Sequence, residues 1–289
     1  MPRVPDADAL WALNRLSAVR FVDREGQTLG VRGPYYGERV TLGDLHDYVP
    51  QAFLAIEDRR FYQHEGVDRM AVLRALLANV QAGETVQGAS TISQQLARNL
   101  FLTRRQTINR KLREMVLASR IERQLTKDEI LELYLNRVYL GDQAYGIDAA
   151  ARRFFGKSAR ELSLAEAAML AGLPKAPSRS APTESLERAT ARQHLVLAAM
   201  VEAGFITPAD AEQARNTRIR VVRRPDVERR LGYAFDLAMT EAREAVGENP
   251  PDLVIQMTVD PAVQAAATDS IRRRLGNRAF AAVGLGHLR

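Results

Sequence analysis

Three stretches of this chain carry side chains able to do chemistry. The first is Phe53-Leu54-Ala55-Ile56-Glu57-Asp58-Arg59-Arg60-Phe61-Tyr62-Gln63-His64. On a helix Glu57 falls four residues from Phe53 and Phe61, and Asp58 four from Leu54 and Tyr62, so each acid shares a face with large apolar side chains. Carboxylates seldom enter such a face without a reason. Burial would raise the carboxyl pKa of Glu57 and make it a proton acceptor near neutrality, while Arg59 and Arg60 pull the other way. A structural ion pair on a helix edge also fits, and residue types alone favour it.

The second stretch is Arg110-Lys111-Leu112-Arg113-Glu114-Met115, in a helix expected from about residue 106 to 125. Glu114 is flanked by Arg110 and Lys111 one turn back and by Leu117, Ala118 and Ile121 ahead. Apolar residues over most of the circumference predict a largely enclosed helix. Either this is an intrahelical pair worth about 0.2–0.5 kcal/mol, or it is a cationic phosphate site held in register by an acid. In the third stretch, Gly88 to Asn99, helical spacing lines up Thr91, Gln95 and Arg98. Their hydroxyl, amide and cation could hold sugar hydroxyls or a pyrophosphate. Gly83 to Ser90 nearly spells a nucleotide phosphate loop, but Ala89 stands where lysine is required. His64-Glu65 is no zinc helix, since Asp68 replaces the second histidine, and His46, His194 and His287 are isolated.

The elements that must position these groups are mostly helical. Val19 to Asp23 and Thr28 to Val31, around Arg24-Glu25-Gly26, read as a small hairpin. From Val49 to about Arg215 the spacing is helical, with Met70, Leu73, Leu76, Leu77 and Val80 on one face and Leu131, Tyr134 and Leu135 on another. Thr126 with Glu129 and Ser163 with Glu166 fit capping boxes, and Thr207-Pro208 opens a further helix. Beyond residue 217 come an arginine-rich stretch, a helix of about Leu231 to Ala245 and a strand-like run from Leu253 to Val259. The expected organisation is an N-terminal extension over 1–18, a helical domain over 19–216, and a linker entering a second domain over 217–289.

Composition agrees with a folded protein: 289 residues, 46% hydrophobic and 26% charged, which excludes a disordered or collagen-like chain. Lys+Arg 41 against Asp+Glu 35 gives a net charge of +6, and lysine occurs only at 111, 127, 157 and 175. The absence of cysteine removes disulfides, thiolate metal sites and a Cys nucleophile. The start does not read as a signal peptide. Leu162 to Pro174, interrupted by Glu166, is too short to span a bilayer.

Taken together the stretches resemble the peptidoglycan glycosyltransferase family, glycosyltransferase family 51, found in bifunctional penicillin-binding proteins. The resemblance rests on motifs in the family's order over roughly residues 19 to 180. They are Glu57 to Tyr62 with His64, Gly66 and Asp68; Gly88 through Asn99; Arg110-Lys111 with Glu114; Lys127 to Glu132 followed by Tyr134-Leu135-Asn136 and Gly141; and Leu164 to Ala168 leading to Pro174. It implies a mainly α, lysozyme-like, two-lobed helical domain with the small N-terminal β-hairpin, followed by a short α/β linker segment.

The implied substrate is lipid II, joined with the growing glycan strand into β-1,4 chains at the outer, periplasmic face of the cytoplasmic membrane. Glu57 would be the general base, Arg110 and Lys111 would receive the leaving pyrophosphate, and Glu114 would position them or contact a divalent cation, Mg or Mn; no cofactor is required. Ser90, Thr91, Gln94, Gln95, Arg98 and Asn99 would bind the donor, with Asp58, Phe61 and His64 shaping the cleft. Arg98 replaces the family's more usual lysine. The family's N-terminal membrane helix is missing, so contact with the membrane surface would fall to Met70 to Val80 and Gln81 to Gln87.

Thr258 to Gln264 resembles the hinge into a transpeptidase domain, but no Ser-x-x-Lys or Lys-Thr-Gly follows. The chain thus reads as truncated before that domain and unable to cross-link peptides. Other cell-wall synthesis proteins are implied partners, and nucleic acid is not, despite a helix-turn-helix-like stretch around Gly204. The alternatives are a lysozyme-like hydrolase or lytic transglycosylase, which needs a carboxylic acid to protonate a leaving sugar, and an inactive scaffold.

Overall fold

Apolar residues at three-four spacing become helices here wherever a cap and a packing partner are both present. The computed structural model describes residues 10–11, 18–70, 72–73, 90–101, 108–222, 231–247, 252–260, 262–271 and 273–274, without the side chains of 108–110. Gln81 to Gln87 and most of Met70 to Val80 lie outside the described residues. In chain order the elements are β1 (Val19–Val22), β2 (Thr28–Arg32), β3 (Tyr35–Tyr36), α1 (Tyr48–Glu57), α2 (Ile92–Phe101), α3 (Ile108–Gln124), α4 (Lys127–Arg137), β4 (Tyr139–Gly141), β5 (Ala144–Tyr145), α5 (Ile147–Phe155), α6 (Leu164–Ala171), α7 (Leu186–Glu202), α8 (Pro208–Asn216), α9 (Gly232–Val246) and β6 (Leu253–Gln256). The chain is mainly helical, as expected.

Contacts divide it into two units, one built on residues 35–222 and the other on 16–34 with 223–289. In the first, α6 is buried along its length and packs on α1 and α7, which also pack on each other. A helix this apolar all round has to lie inside. A second group forms where α2 packs on α3 and α4. The caps at Thr126, Ser163 and Thr207 all form, each hydroxyl accepting the third backbone N–H while the acid there reaches back; such a cap is worth about 1 kcal/mol. β3, β5 and β4 make a small sheet. Gly146, at φ 86°, closes it against α4, and a Cβ there would sit 2.4 Å from the Asn136 carbonyl oxygen, so only glycine fits.

Three expectations change. Leu10, in the expected N-terminal extension, is fully buried in the core of the helical unit. Helix α3 is not largely enclosed: Leu112 is 57% and Val116 47% exposed, while Glu114, Ala118 and Ile121 are buried, because only that face meets α2. The hairpin, expected to open the helical domain, groups with the C-terminal residues instead, because β1 pairs antiparallel with β2 on one edge and parallel with β6 on the other. In that second unit Phe21 stacks on Phe235 of α9 with ring centroids 4.3 Å apart. Val19, Leu29, Leu231 and Met257 complete its core.

Candidate active site

The stretch from Phe53 to His64 is not one helix. Helix α1 stops at Glu57, Asp58 turns to φ −160°, and Phe61–Gln63 forms a separate 3-10 turn. The cause lies far along the chain. An Asp58 carboxylate oxygen accepts the backbone N–H of Ile92 at 3.0 Å, and His64 Nε2 lies 3.0 Å from both carboxylate oxygens. These bonds draw Asp58 off the helix axis and tie the end of α1 to the start of α2. Asp58 and Phe61 are buried and His64 is largely so, which makes the three a scaffold beneath Glu57. Lys127 closes that scaffold from α4, donating to the His64 carbonyl at 2.6 Å and to Glu122 at 2.8 Å with its ammonium 4.4 Å from the centre of the Phe61 ring.

Glu57, at the last position of α1, accepts a hydrogen bond from Gln95 Nε2 at 2.7 Å. Burial pushes its carboxyl above the ordinary carboxylate range. The Gln95 bond and the charges of Arg192 and Arg98 draw it back, and the Asp58 charge adds to the rise. A carboxylate so placed is a better proton acceptor than an exposed one.

The residue before Gln95 serves the other site. Lys111 Nζ donates to Gln94 Oε1 at 2.9 Å, to Ser90 Oγ at 2.8 Å and to Glu114 Oε2 at 3.2 Å. Glu114 is 1% exposed. Its carboxylate is engaged by an ammonium, and among the described residues no group of three or more acidic or histidine side chains could hold a metal ion. One carboxylate already engaged by an ammonium is a poor match for a divalent ion, which takes several oxygen ligands. Thr91 is buried and donates to the Gly66 carbonyl at 2.6 Å. Gly66, at φ 84°, lies against α3, where a Cβ would meet the Ser119 nitrogen at 2.9 Å.

The structure therefore brings Glu57 to Gln95 of α2, and Ser90, Gln94 of α2 and Glu114 to Lys111. The Thr91 hydroxyl is engaged by backbone, Arg98 stands half-buried with its charge acting on Glu57, and Asn99 is exposed. The side chain of Arg110 lies outside the described residues. Two contributors were missed. Tyr134 donates its hydroxyl to Gln95 Oε1 at 3.3 Å, and its helical spacing marked it only as core. Arg192, on α7, had no local signal.

The transglycosylase family model matches residues 25–201, and the chain belongs to that family, the enzyme class its motifs implied. It is similar to penicillin-binding protein 1A of Aquifex aeolicus (strain VF5), 41% identical over an alignment of 290 residues that covers 99% of this chain and 39% of that protein. Penicillin-binding protein 1A of Escherichia coli (strain K12) is 40% identical over 277 residues, 95% of this chain and 33% of that protein. The crystal structure of penicillin-binding protein 1A from Haemophilus influenzae matches with a TM-score of 0.55 and 26% identity, over 91% of this chain and 30% of that one. The chain thus spans between 30% and 39% of the length of these relatives. Among the described residues no helix is long and apolar enough to cross a membrane.

Proposed function

We propose that this chain is a peptidoglycan glycosyltransferase that joins lipid II units into β-1,4-linked glycan strands with release of undecaprenyl pyrophosphate. The observation that carries the reading is the pair Gln94 and Gln95. Neighbouring amides of one helix hold the Lys111 ammonium and the Glu57 carboxylate, so a base and a fixed cation are both tied to that helix.

In the reaction Glu57 takes the proton of the acceptor's 4-hydroxyl as that oxygen attacks the anomeric carbon of the growing strand. The C–O bond to the pyrophosphate breaks with its electron pair, the configuration inverts, and Lys111 with Arg110 meets the charge that develops on the leaving group. A fixed charge there needs no reorganisation as the leaving group's charge develops. A hydrolase would need a protonated acid at a leaving sugar and has no use for a cation beside Glu114. The site works with its own side chains and no required cofactor, at the outer, periplasmic face of the cytoplasmic membrane. Exposed Met70, Val72 and Leu73, with Leu112 and Val116, support contact with the membrane surface. Other cell-wall synthesis proteins are proposed partners, and nucleic acid is not.

The test is incubation of the chain with lipid II followed by muramidase digestion of any product. Polymer that the muramidase cuts supports the transferase. Cleavage of preformed glycan by the chain itself would support the hydrolase, and inert lipid II would leave a scaffold.

A further inference from the structure

We propose that Tyr134 is a positioning residue for this reaction, holding the Gln95 amide in the one orientation that presents its NH2 group to Glu57. The inference rests on Glu57 as the base. Tyr134 is completely buried, and among the described residues its hydroxyl makes one hydrogen bond, to Gln95 Oε1 at 3.3 Å. A buried O–H must donate, so it selects the oxygen end of the amide. The other end then has to face Glu57, where Nε2 stands 2.7 Å from Oε2. A primary amide is nearly symmetric in shape, and turning it over would set its oxygen against the carboxylate, acceptor on acceptor.

The ring that carries the hydroxyl is itself fixed. Phe53 meets it edge-on with ring centroids 6.2 Å apart, and α4 packs against α2. Burial holds the phenol pKa well above its ordinary value, so Tyr134 remains a donor at every pH at which the enzyme would be assayed. The charged groups acting on Glu57 are Asp58 at the end of its own helix, Arg98 on α2 and Arg192 on α7. Tyr134→Phe leaves all three in place and removes one oxygen. Without that oxygen the amide can turn over, the carboxylate loses its N–H donor, and burial acts on Glu57 with less opposition. The acid limb of the rate profile then moves to higher pH.

The experiment measures kcat and KM for lipid II polymerisation against pH in the full chain, for wild type, Tyr134→Phe, Gln95→Leu, the double variant and Glu57→Gln. Tyr134→Phe should lower kcat about fivefold, the rate equivalent of one neutral hydrogen bond. KM should change less than about twofold, and the acid limb should move up. The double variant should match Gln95→Leu alone, because the two act through one amide. An unmoved acid limb in Tyr134→Phe, or a double variant worse than Gln95→Leu by the full Tyr134→Phe factor, overturns the proposal. Should the phenylalanine variant not fold, 3-fluorotyrosine at 134 keeps the ring and strengthens the donor, and its acid limb should move down; no movement overturns the proposal equally. Full turnover in Glu57→Gln would instead remove the base reading beneath it.

Discussion

Glu57 ends α1 and Glu114 lies on α3; α2 reaches the first through Gln95 and the partner of the second, Lys111, through Gln94, yet the surroundings of the two acids differ in kind. Glu114 is 1% exposed and meets an ammonium, that of Lys111 at 3.2 Å. Glu57 meets a neutral amide at 2.7 Å, and its cations, Arg98 and Arg192, act on it through space. A buried carboxylate that touches a cation is a fixed charge, useful for holding that cation in place. A half-buried carboxylate whose hydrogen-bond partner is a neutral donor is drawn toward its protonated form and becomes a better base. Burial alone therefore does not distinguish a structural acid from a chemical one; the charge of the nearest partner does.

The largest effect that would sharpen this contrast is Glu57→Gln. Loss of the base should lower kcat for lipid II polymerisation by about 10²–10⁴-fold, with little change in binding of a phosphoglycolipid donor mimic. Stability should respond with the opposite sign. Because burial raises the Glu57 pKa above its unfolded value, the folded state binds that proton more tightly than the unfolded chain does. Its contribution is full below the ordinary carboxylate range and is lost as pH rises through the ordinary value and on to the raised one. At neutral pH the ionised carboxylate is a cost, so the glutamine variant should melt no lower than wild type, and its advantage should grow from acid to neutral pH. A lower melting temperature at pH 7 would mean that Glu57 is held as Glu114 is, and the contrast would fail.

Lys111→Met should give the other signature, activity and stability falling together. Removing the ammonium leaves the buried Glu114 carboxylate with one fewer partner, at a cost of about 1–3 kcal/mol in thermal or urea unfolding. Turnover should fall about 10²-fold, the usual loss when one fixed donor to developing charge is removed. A variant that lost turnover with no loss of stability would show that Glu114 does not depend on Lys111. Arg192→Gln is a smaller perturbation. Arg192 lowers the Glu57 pKa from α7, so its removal should move the acid limb of kcat/KM to higher pH with a modest change in rate. An unmoved limb would remove Arg192 from the site.

Much of this contrast is legible in the chain, because its determinants are local. Lys111 and Glu114 are one helical turn apart, and their pairing follows from spacing; the caps at Thr126, Ser163 and Thr207 follow from side chains three residues apart. The family motifs mark Glu57 and Gln95 without showing that they touch. What is not legible depends on distant chain. Asp58 ends α1 where it binds the N–H of Ile92, 34 residues on, and no residue near Asp58 announces that. Tyr134, in the motif Tyr134-Leu135-Asn136, reads as core because its ring is core; only its hydroxyl reaches Gln95. Asn136 in the same motif clamps Val40, accepting its N–H at 3.0 Å and donating to its carbonyl at 2.7 Å. The exposed face of α3 is not legible because Leu112 and Val116 are apolar yet stand exposed.

The smallest expected effect concerns metal. If charge on the leaving pyrophosphate is met by side chains fixed through Ser90, Gln94 and Glu114, removal of divalent ions takes nothing from the transition state. Treatment with EDTA should then change the rate of lipid II polymerisation by less than about twofold, far below what a lost electrostatic donor costs. The alternative has a distinct result. A divalent ion on Glu114 would need its carboxylate oxygens, and Lys111, which now holds one of them at 3.2 Å, would have to give way. A large loss on chelation, restored by Mg or Mn and abolished in Glu114→Gln, would make Glu114 a metal ligand. The two glutamates would then differ as base and metal site, and the pairing with Lys111 would be a state the enzyme leaves when it works.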